Sequence, residues 1–142
     1  MGSGYQVKVE AEPDPTDMHA LVKGLVAFNA SQTDGEHQNN LLVTVRDDDG
    51  ALIGGLLGAT YLGWLTIQIV WLDEAARGKG YGAKLMELAE REALLRGCPR
   101  VFVETLSFQA LPFYEKCGYS VHSCLPDFPP GGARYSLTKQ LS

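Results

Sequence analysis

The middle of the chain, residues 63 to 106, constrains the fold most, because a strand, a glycine-rich turn, a helix and a second strand follow one another there. The segment GWLTIQIVWLDE is dense in β-branched and aromatic residues, which is typical of a strand. Apolar residues recur at helical spacing over residues 81 to 96, and Gly97 follows as a helix-ending residue. RVFVETL indicates a second, buried strand. Because a crossover helix connects parallel strands of one sheet, the chain is predicted to be a mixed α/β protein.

The flanking segments add shorter elements on both sides. A strand is predicted at YQVKVEAE, followed by a helix that Asp17 caps and that ends near Ala30. LLVTVRD and ALIGGLLGATYL predict a hairpin, and the glycines of IGGLLGA predict a bulge or a close approach of a ligand or another backbone. FQALPFYEKCG indicates a short helix, and YSVHSC and RYSLTKQL indicate strands. The predicted order is β-α-β-β-β-α-β-α-β-β in a single domain, residues 1–142, whose first four residues, MGSG, are interpreted as a cloning remnant.

The turn AARGKGYGAK, at residues 75–84, places glycines and cations directly before the predicted helix. A helix start exposes unpaired backbone N–H groups and the positive end of the helix dipole. Glycine lets the backbone approach a ligand closely and adopt positive φ. Arg77 and Lys79 add formal positive charge. The turn therefore predicts an anion site, of the kind most often used for phosphate.

Three phosphate-binding patterns compete for this turn. The P-loop pattern fails, because glycine rather than serine or threonine follows Lys79 and an aspartate stands where the first glycine belongs. The dinucleotide pattern GxGxx[GA] matches GKGYGA, but DEAAR separates it from the strand, and too little chain follows Glu104 for the further units of such a domain. The third pattern, [QR]xxGx[GA], is matched by Arg77, Gly80 and Gly82.

A second segment, SFQALPFYEKCGY at residues 107–119, favours the third pattern. It fits the form NxxAxxxYxxxGF at Ala110, Tyr114 and Gly118, with Ser107 in place of the asparagine and Tyr119 in place of the phenylalanine. With both motifs at this separation and the same order of elements along nearly the whole chain, the sequence resembles the GNAT N-acetyltransferase superfamily. The resemblance implies the acyl-CoA N-acyltransferase fold, in which a mixed, mostly antiparallel sheet contains a central splayed strand pair and carries helices on both faces.

The resemblance also implies acetyl-CoA as the donor co-substrate. Backbone N–H groups of the glycine-rich turn would take the pyrophosphate, assisted by the side chains of Arg77 and Lys79. Backbone amides at the end of the splayed strand would contact the pantetheine arm and the thioester carbonyl, where they can act as an oxyanion hole. The usual asparagine contact to the CoA arm would pass to Ser107 or Gln109. The residues implied for the donor site are Ile69, Val70, Trp71, Leu72, Arg77, Gly78, Lys79, Gly80, Tyr81, Gly82, Ser107, Gln109 and Tyr114.

Tyr114 and Glu104 are the candidate catalytic residues. In the family, the tyrosine at the position of Tyr114 protonates the departing thiolate. A phenol with a pKa near 10 keeps its proton at neutral pH. The alternative for Tyr114 is an aromatic side chain that only packs on the sheet. An amine acceptor must lose a proton before it attacks, and Glu104 lies at a strand end where it can take that proton directly or through a water. Pairing of Glu104 with Arg100 or Arg134 is an equally supported alternative.

The acceptor is predicted to be a primary amine, and the short chain favours a small molecule. The mouth of the acceptor site is expected to be formed by two loops, NASQTDGEHQNN and LPDFPPGGA. Aromatic side chains there would suit apolar or cationic groups, although core packing is the stronger alternative for Trp64. The predicted lining residues are Phe28, Asn29, Trp64 and Phe128. Two other functions stay open, because a fold does not determine a function. They are a non-catalytic acyl-CoA sensor and an acetyltransferase acting on protein or peptide amines.

Composition narrows the class of partner. The net charge of -5 argues against a nucleic-acid binder, which needs a basic face. No apolar run reaches the length of a membrane span, and the three cysteines fit no metal-site or disulfide pattern. We therefore expect a cytoplasmic protein without a metal, nucleic-acid or membrane partner. A homodimer is compatible with these features.

Overall fold

The computed structural model describes residues 4–141, which fall into two compact units, one up to His37 and one from Gln38 onward. Three helices, one short 3-10 turn and six strands follow one another along the described residues. In chain order they are α1 (Pro15–Gln32), β1 (Asn39–Arg46), β2 (Leu52–Tyr61), β3 (Trp64–Leu72), the 3-10 turn (Glu74–Ala76), α2 (Tyr81–Leu95), β4 (Arg100–Leu106), α3 (Leu111–Lys116), β5 (Ser120–Pro126) and β6 (Ala133–Gln140). The expectation of a single domain stays a prediction.

The first unit contains α1, which begins earlier than predicted. Its N-cap is Asp14, whose side chain accepts a hydrogen bond from the Thr16 N–H at 2.8 Å, and Pro15 occupies the first helical position. The prediction that Asp17 caps the helix is therefore wrong. Proline is favoured at the first helical position, where the backbone N–H needs no partner within the helix, so Pro15 begins the helix and Asp14 caps it. Asp17 lies instead in the first turn, where its negative charge still suits the helix dipole.

The strand predicted at residues 5–12 is absent from the structure. Tyr5, Val7 and Val9 alternate as a strand would, but their side chains are fully exposed and the segment has no regular secondary structure. A strand obtains its hydrogen bonds from a neighbouring strand, and none of the strand pairs formed within residues 4–141 includes this segment. Alternation alone therefore predicted an element that only a pairing partner can stabilise.

The second unit is built on a six-stranded sheet with the order β1-β2-β3-β4-β6-β5. β3 and β4 are parallel, and the other neighbouring pairs are antiparallel. The parallel pair is the one that α2 connects, because parallel neighbours need a crossover rather than a hairpin. The predicted mixed, mostly antiparallel sheet is confirmed, whereas a cover of helices on both faces stays a prediction.

β3 and β4 pair over only part of their length. Their register runs from Trp64 opposite Arg100 to Ile67 opposite Val103, and beyond it β3 pairs with β2 alone. At the point of separation, Gln68 is an extra residue in β3, which forms a bulge opposite β2. The bulge bends the strand and leaves one backbone edge of its last four residues unpaired. The central splayed strand pair that the sequence predicted is thus present.

The bulge also reverses which β3 side chains face the core. Before it, Leu65 and Ile67 are buried, whereas after it Ile69 and Trp71 are about half exposed. One inserted residue shifts the two-residue period of a strand by one, so every later side chain changes face.

The glycines of β2 allow close approach of the neighbouring backbones, as predicted. A Cβ on Gly58 would lie 2.7 Å from the carbonyl oxygen of Thr66 in β3. A Cβ on Gly55 would lie 2.5 Å from the carbonyl oxygen of Val43 in β1. No side chain fits at either distance, so the sheet can be this tight around the bulge only with glycine there.

The core of the second unit lies between α2 and the sheet. Each fully buried leucine or valine of this core contributes about 2 kcal/mol relative to an exposed one. Tyr114 and Tyr119 belong to the same cluster, so the segment that carries the candidate catalytic tyrosine is fixed by the core itself. Members of the cluster with almost no exposed surface include Leu41, Leu56, Leu65, Leu85, Met86, Ala89, Ala93, Val101 and Leu137.

Candidate active site

The glycine-rich loop, residues 77–82, leads into the first turn of α2 with unpaired backbone donors. Gly78 and Gly80 have positive φ of 73° and 85°, which side chains rarely tolerate. Gly80 is the N-cap and supplies no side chain, and the first helical bond runs from the Lys84 N–H to the Gly80 carbonyl at 3.2 Å. The N–H groups of residues 78–83 have no partner within the described chain. Such donors at the positive end of a helix form an anion site.

Arg77 connects this loop to the end of β3. Its backbone N–H donates to the carbonyl of Glu74 at 3.2 Å, and its side-chain Nε donates to the carbonyl of Leu72 at 3.0 Å. The two terminal guanidinium nitrogens have no partner among the described residues, so they remain available to an anion. Arg77 therefore does more than add charge, since it also holds the loop against the open end of β3.

Gly82 brings the start of α2 against α3. A Cβ at this position would lie 3.0 Å from Cε1 and 3.2 Å from Cζ of Phe113. That spacing is tighter than ordinary van der Waals contact, so glycine allows the two helices to approach this closely. Because Tyr114 follows Phe113 directly, the same contact places the glycine-rich loop beside the tyrosine segment. Sequence analysis did not identify Phe113 as part of the site, and its only signal was glycine within the first helical turn.

Tyr114 is buried, with 6% of its surface exposed. Its ring lies edge-on to Phe113 at 5.2 Å and to Tyr119 at 6.1 Å, measured between ring centroids. Its hydroxyl forms no hydrogen bond within the described chain. Every fully buried side-chain oxygen of the described chain does have a hydrogen-bond partner. The hydroxyl must therefore lie on the small exposed part of the side chain. Burial, followed by the charge of Cys117, raises the pKa of Tyr114, so the phenol keeps its proton and can donate it at neutral pH.

Glu104, Arg134 and Phe128 form a second cluster, at the end of β4, which we call the Glu104 cluster. Arg134 Nη2 donates to Glu104 Oε1 at 2.7 Å, and the guanidinium lies 4.7 Å from the centre of the Phe128 ring. The bond to Glu104 raises the pKa of Arg134. Of the two arginines considered for Glu104, the structure therefore selects Arg134, whereas Arg100 donates to Gln140 Oε1. A shallow pocket adjoins the cluster, lined by Glu104, Thr105, Leu106, Gln109 and Arg134.

Ser107 and Gln109 both have partners within the chain. Ser107 Oγ accepts from the Ala133 N–H at 3.0 Å, and Gln109 Oε1 accepts from the Leu106 N–H at 2.7 Å. These bonds close the turn that follows β4 and connect it to the start of β6. The Ser107 hydroxyl hydrogen and the Gln109 amide nitrogen have no partner among the described residues, so the CoA contact expected of one of them stays a prediction.

Comparison with known proteins agrees with this arrangement. The family model described as the acetyltransferase (GNAT) family matches residues 8–119. The chain belongs to the GNAT family. An acetyltransferase from Agrobacterium fabrum is 40% identical over 122 residues, which cover 86% of this chain and 89% of that protein. The blasticidin-S acetyltransferase of Streptomyces morookaense is 42% identical over 93 residues, which cover 65% of this chain and 68% of that protein.

Solved structures support the same assignment. An acetyltransferase structure from Agrobacterium tumefaciens has a TM-score of 0.89 and 32% identity, and the match covers 96% of this chain and all of that one. An acetyltransferase structure from Bacillus cereus has a TM-score of 0.79 and 27% identity, covering 94% of this chain and 98% of that one. The protein is therefore a GNAT N-acetyltransferase, and both the predicted family and the predicted enzyme class are confirmed.

The predicted acceptor residues of this GNAT enzyme belong to different elements. Trp64 begins β3, whereas the splayed end is at Leu72, and a strand of nine residues is about 30 Å long. The Arg100 guanidinium lies 5.8 Å from the centre of the Trp64 ring there, and a role of Trp64 in the acceptor mouth stays a prediction. Phe28 and Asn29 lie in α1, in the first unit, and their role stays a prediction.

Within residues 4–141, no three side chains of His, Cys, Asp or Glu come together as a metal ion would require. No helix in the same range is long and apolar enough to cross a membrane.

Proposed function

We propose that this GNAT enzyme transfers the acetyl group of acetyl-CoA to a primary amine of a small molecule, directly, with both substrates bound together. One observation carries the proposal. The unpaired N–H groups before α2 lie beside the segment of Tyr114, at the end of a strand pair that opens. The donor side of the reaction requires these three features: an anion site, an open backbone edge and a proton donor.

The donor side is proposed to hold the pyrophosphate of acetyl-CoA on the glycine-rich loop. No heavy atom lies within 4 Å of a Cβ built on Gly78 or Gly80, so the backbone there is open to a ligand. The free guanidinium nitrogens of Arg77 and the ammonium of Lys79 would add charge-assisted hydrogen bonds. The unpaired edge of β3, from Ile69 to Leu72, would receive the rest of the donor and polarise its carbonyl. When bound, acetyl-CoA supplies an activated acyl group.

Tyr114 is proposed to act as the general acid that protonates the departing sulfur. Its phenol is held in position by two aromatic neighbours, and its raised pKa keeps the proton in place until the sulfur leaves as a thiolate. Its hydroxyl, which has no partner in the described chain, can make that hydrogen bond without breaking another.

Glu104 is proposed to receive the amine. Arg134 donates to one of its carboxylate oxygens, and the other, Oε2, has no partner in the described chain. An ionised carboxylate attracts an ammonium group and accepts its proton, either directly or through a water, before the amine attacks. Phe128 would offer an aromatic face to the carbon skeleton or the cationic part of the acceptor.

The acceptor is proposed to be a small molecule, since one relative at 42% identity is named for the acetylation of blasticidin S. The test is a thiol-release assay with acetyl-CoA and a panel of amines comprising blasticidin S, an aminoglycoside, a polyamine, free amino acids and a lysine peptide. Turnover with a non-peptide amine supports the proposal. Turnover with the peptide alone would favour a peptide acetyltransferase. Calorimetric binding of CoA without turnover on any amine would favour a sensor, and no binding of CoA would contradict the donor site.

A further inference from the structure

Another group of polar side chains contacts Tyr114 through Cys117 and Tyr119. We call it the Glu90 network, and its members are Glu90, Cys117, Tyr119 and Lys139. Tyr119 is buried, and its hydroxyl donates to Glu90 Oε2 at 2.8 Å. Lys139 Nζ donates to Glu90 Oε1 at 2.9 Å and to the carbonyl of Cys117 at 2.8 Å. Lys139 also lies 5.5 Å from the centre of the Tyr119 ring. Each oxygen of the Glu90 carboxylate therefore has a donor.

The Glu90 network joins separate parts of the second unit. Glu90 belongs to α2, which follows directly from the glycine-rich loop, and Lys139 belongs to β6. Cys117 ends α3, and Tyr119 directly precedes β5. Only 15% of the Glu90 side chain and 27% of the Lys139 side chain are exposed, so water screens their interaction less than it would on the surface. The network thus fixes α2 and β6 relative to the end of α3.

Tyr114 is held by two members of this network. The backbone N–H of Tyr119 donates to the carbonyl of Tyr114 at 3.0 Å, and that of Cys117 donates to the same carbonyl at 3.1 Å. The ring of Tyr119 also packs against the ring of Tyr114, at an interplanar angle of 70°. Backbone and ring of Tyr114 therefore both depend on where Tyr119 lies.

This chain has tyrosine at the last position of the second motif, so it carries a hydroxyl there. The resemblance noted above places phenylalanine there, which can pack against Tyr114 but cannot bond to Glu90. Burial, followed by the Glu90 carboxylate, raises the pKa of Tyr119, so its hydroxyl remains a hydrogen-bond donor. The hydroxyl thus adds a fixed point to a ring that would otherwise be held by packing alone.

We propose that Tyr119 is a positioning residue for Tyr114: its hydroxyl donates to Glu90, which Lys139 holds in turn, and the fixed ring of Tyr119 sets the place of the Tyr114 phenol. This inference rests on the acid role proposed for Tyr114. It assigns to Glu90, a residue outside both motifs, a part in catalysis that acts only through Tyr119. A positioning residue lowers kcat when it is removed, whereas substrate affinity changes little, since neither the glycine-rich loop nor the Glu104 cluster is altered.

The test is a double-mutant cycle on kcat with Tyr119→Phe and Tyr114→Phe, measured with acetyl-CoA and the best amine of the panel. We expect Tyr119→Phe to lower kcat about five-fold in the wild-type enzyme, with the KM of each substrate unchanged. In the Tyr114→Phe enzyme, Tyr119→Phe should have no further effect, because the phenol that it positions is already gone. A merely structural role would lower kcat by the same factor in both backgrounds.

A second pair of variants tests Glu90. Glu90→Ala is expected to lower kcat about as much as Tyr119→Phe. Glu90→Gln keeps one oxygen that can accept from the Tyr119 hydroxyl, although its amide nitrogen then faces the Lys139 ammonium, so it should restore part of the loss. The matched control is Glu87→Gln, one turn earlier on α2, where the carboxylate forms an exposed pair with Arg91 and kcat should not change. Thermal unfolding of each variant confirms that it is folded.

The outcomes separate the two proposals. If Tyr114→Phe lowers kcat but Tyr119→Phe lowers it equally in both backgrounds, or not at all, the positioning role is wrong and the acid role stands. If Tyr114→Phe itself leaves kcat unchanged, the acid role is wrong, and the positioning role is overturned with it. Loss of CoA binding in Tyr119→Phe would also contradict positioning, because it would place the effect at the donor site.

Discussion

The glycine-rich loop is built from backbone, whereas the Glu104 cluster is built from side chains. In the loop, residues that follow one another in sequence supply N–H groups with no partner in the described chain. In the Glu104 cluster, β4, the β5–β6 connection and β6 each contribute one side chain, and two of these already bond to each other. The loop therefore offers a general anion site, while the cluster is the part proposed to distinguish one amine from another. If this contrast holds, damage to the loop should weaken the donor alone, and damage to the cluster the acceptor alone.

The largest effect is expected at Tyr114, the proposed general acid. Tyr114→Phe should lower kcat about 100-fold, at the low end for loss of a general acid, with both KM values little changed. Because the protonated phenol is the active form and its pKa is raised, the alkaline fall in kcat assigned to Tyr114 should lie above the pH at which an ordinary tyrosine ionises. A pH profile of kcat for both enzymes checks this, and the fall should be absent from the variant.

The next largest effect is expected for Glu104→Gln, which tests the acceptor side. The kcat/KM for the amine should fall about 30-fold at neutral pH, because the carboxylate that attracts and deprotonates the ammonium group is lost. Raising the pH should recover part of this loss, since more amine is then unprotonated in solution. Binding of CoA, followed by calorimetry, should be unchanged. Glu115→Gln, on the exposed surface of α3, is the matched control.

Gly82→Ala tests the donor side. The new Cβ would lie 3.0 Å from Phe113, so the first turn of α2 or the ring must move, and the Kd for CoA should rise about ten-fold. The KM for the amine should not change. Gly24→Ala is the matched control, because no atom lies within 4 Å of a Cβ there. A variant that loses amine affinity instead would contradict the division into a donor region and an acceptor region.

The smallest effect is expected at Arg77. Arg77→Lys keeps the charge but loses the bond from Nε to the Leu72 carbonyl, so the KM for acetyl-CoA should rise about three-fold. Arg91→Lys, on the exposed side of α2, controls for the substitution itself. An effect on the amine KM alone would be inconsistent with a donor role for Arg77.

The features that could be predicted from sequence were those written in consecutive residues. The glycine-rich loop, α2 and the paired motifs follow from local spacing, and they led to the family. The glycines of β2 predicted a bulge or a close approach of a ligand or another backbone. The backbones of β1 and β3 each approach β2 closely at these glycines, because only a residue without a side chain fits there. The bulge at Gln68 has no local signal, since any residue can be the inserted one.

The errors arose where a local pattern needed a partner or a competitor. Asp17 matched a helix cap, but Pro15 is the first helical residue, so the cap is Asp14, three residues earlier. YQVKVEAE alternated as a strand does, but no strand within the described residues pairs with it. Trp64, expected in the acceptor mouth, is the first residue of β3 and lies at the other end of the strand from Leu72, so its role stays a prediction.

By itself, the sequence determined the family, the order of elements within the second unit and the position of the donor loop, because each depends on residues close together in the chain. Only the tertiary structure decided that Arg134 rather than Arg100 pairs with Glu104, and that the Tyr119 hydroxyl donates to Glu90. These contacts join residues 30 and 29 positions apart, and the register of the sheet and the packing of α2 set their distances. Such distances follow from the whole fold, which is why no local pattern of residues carries them.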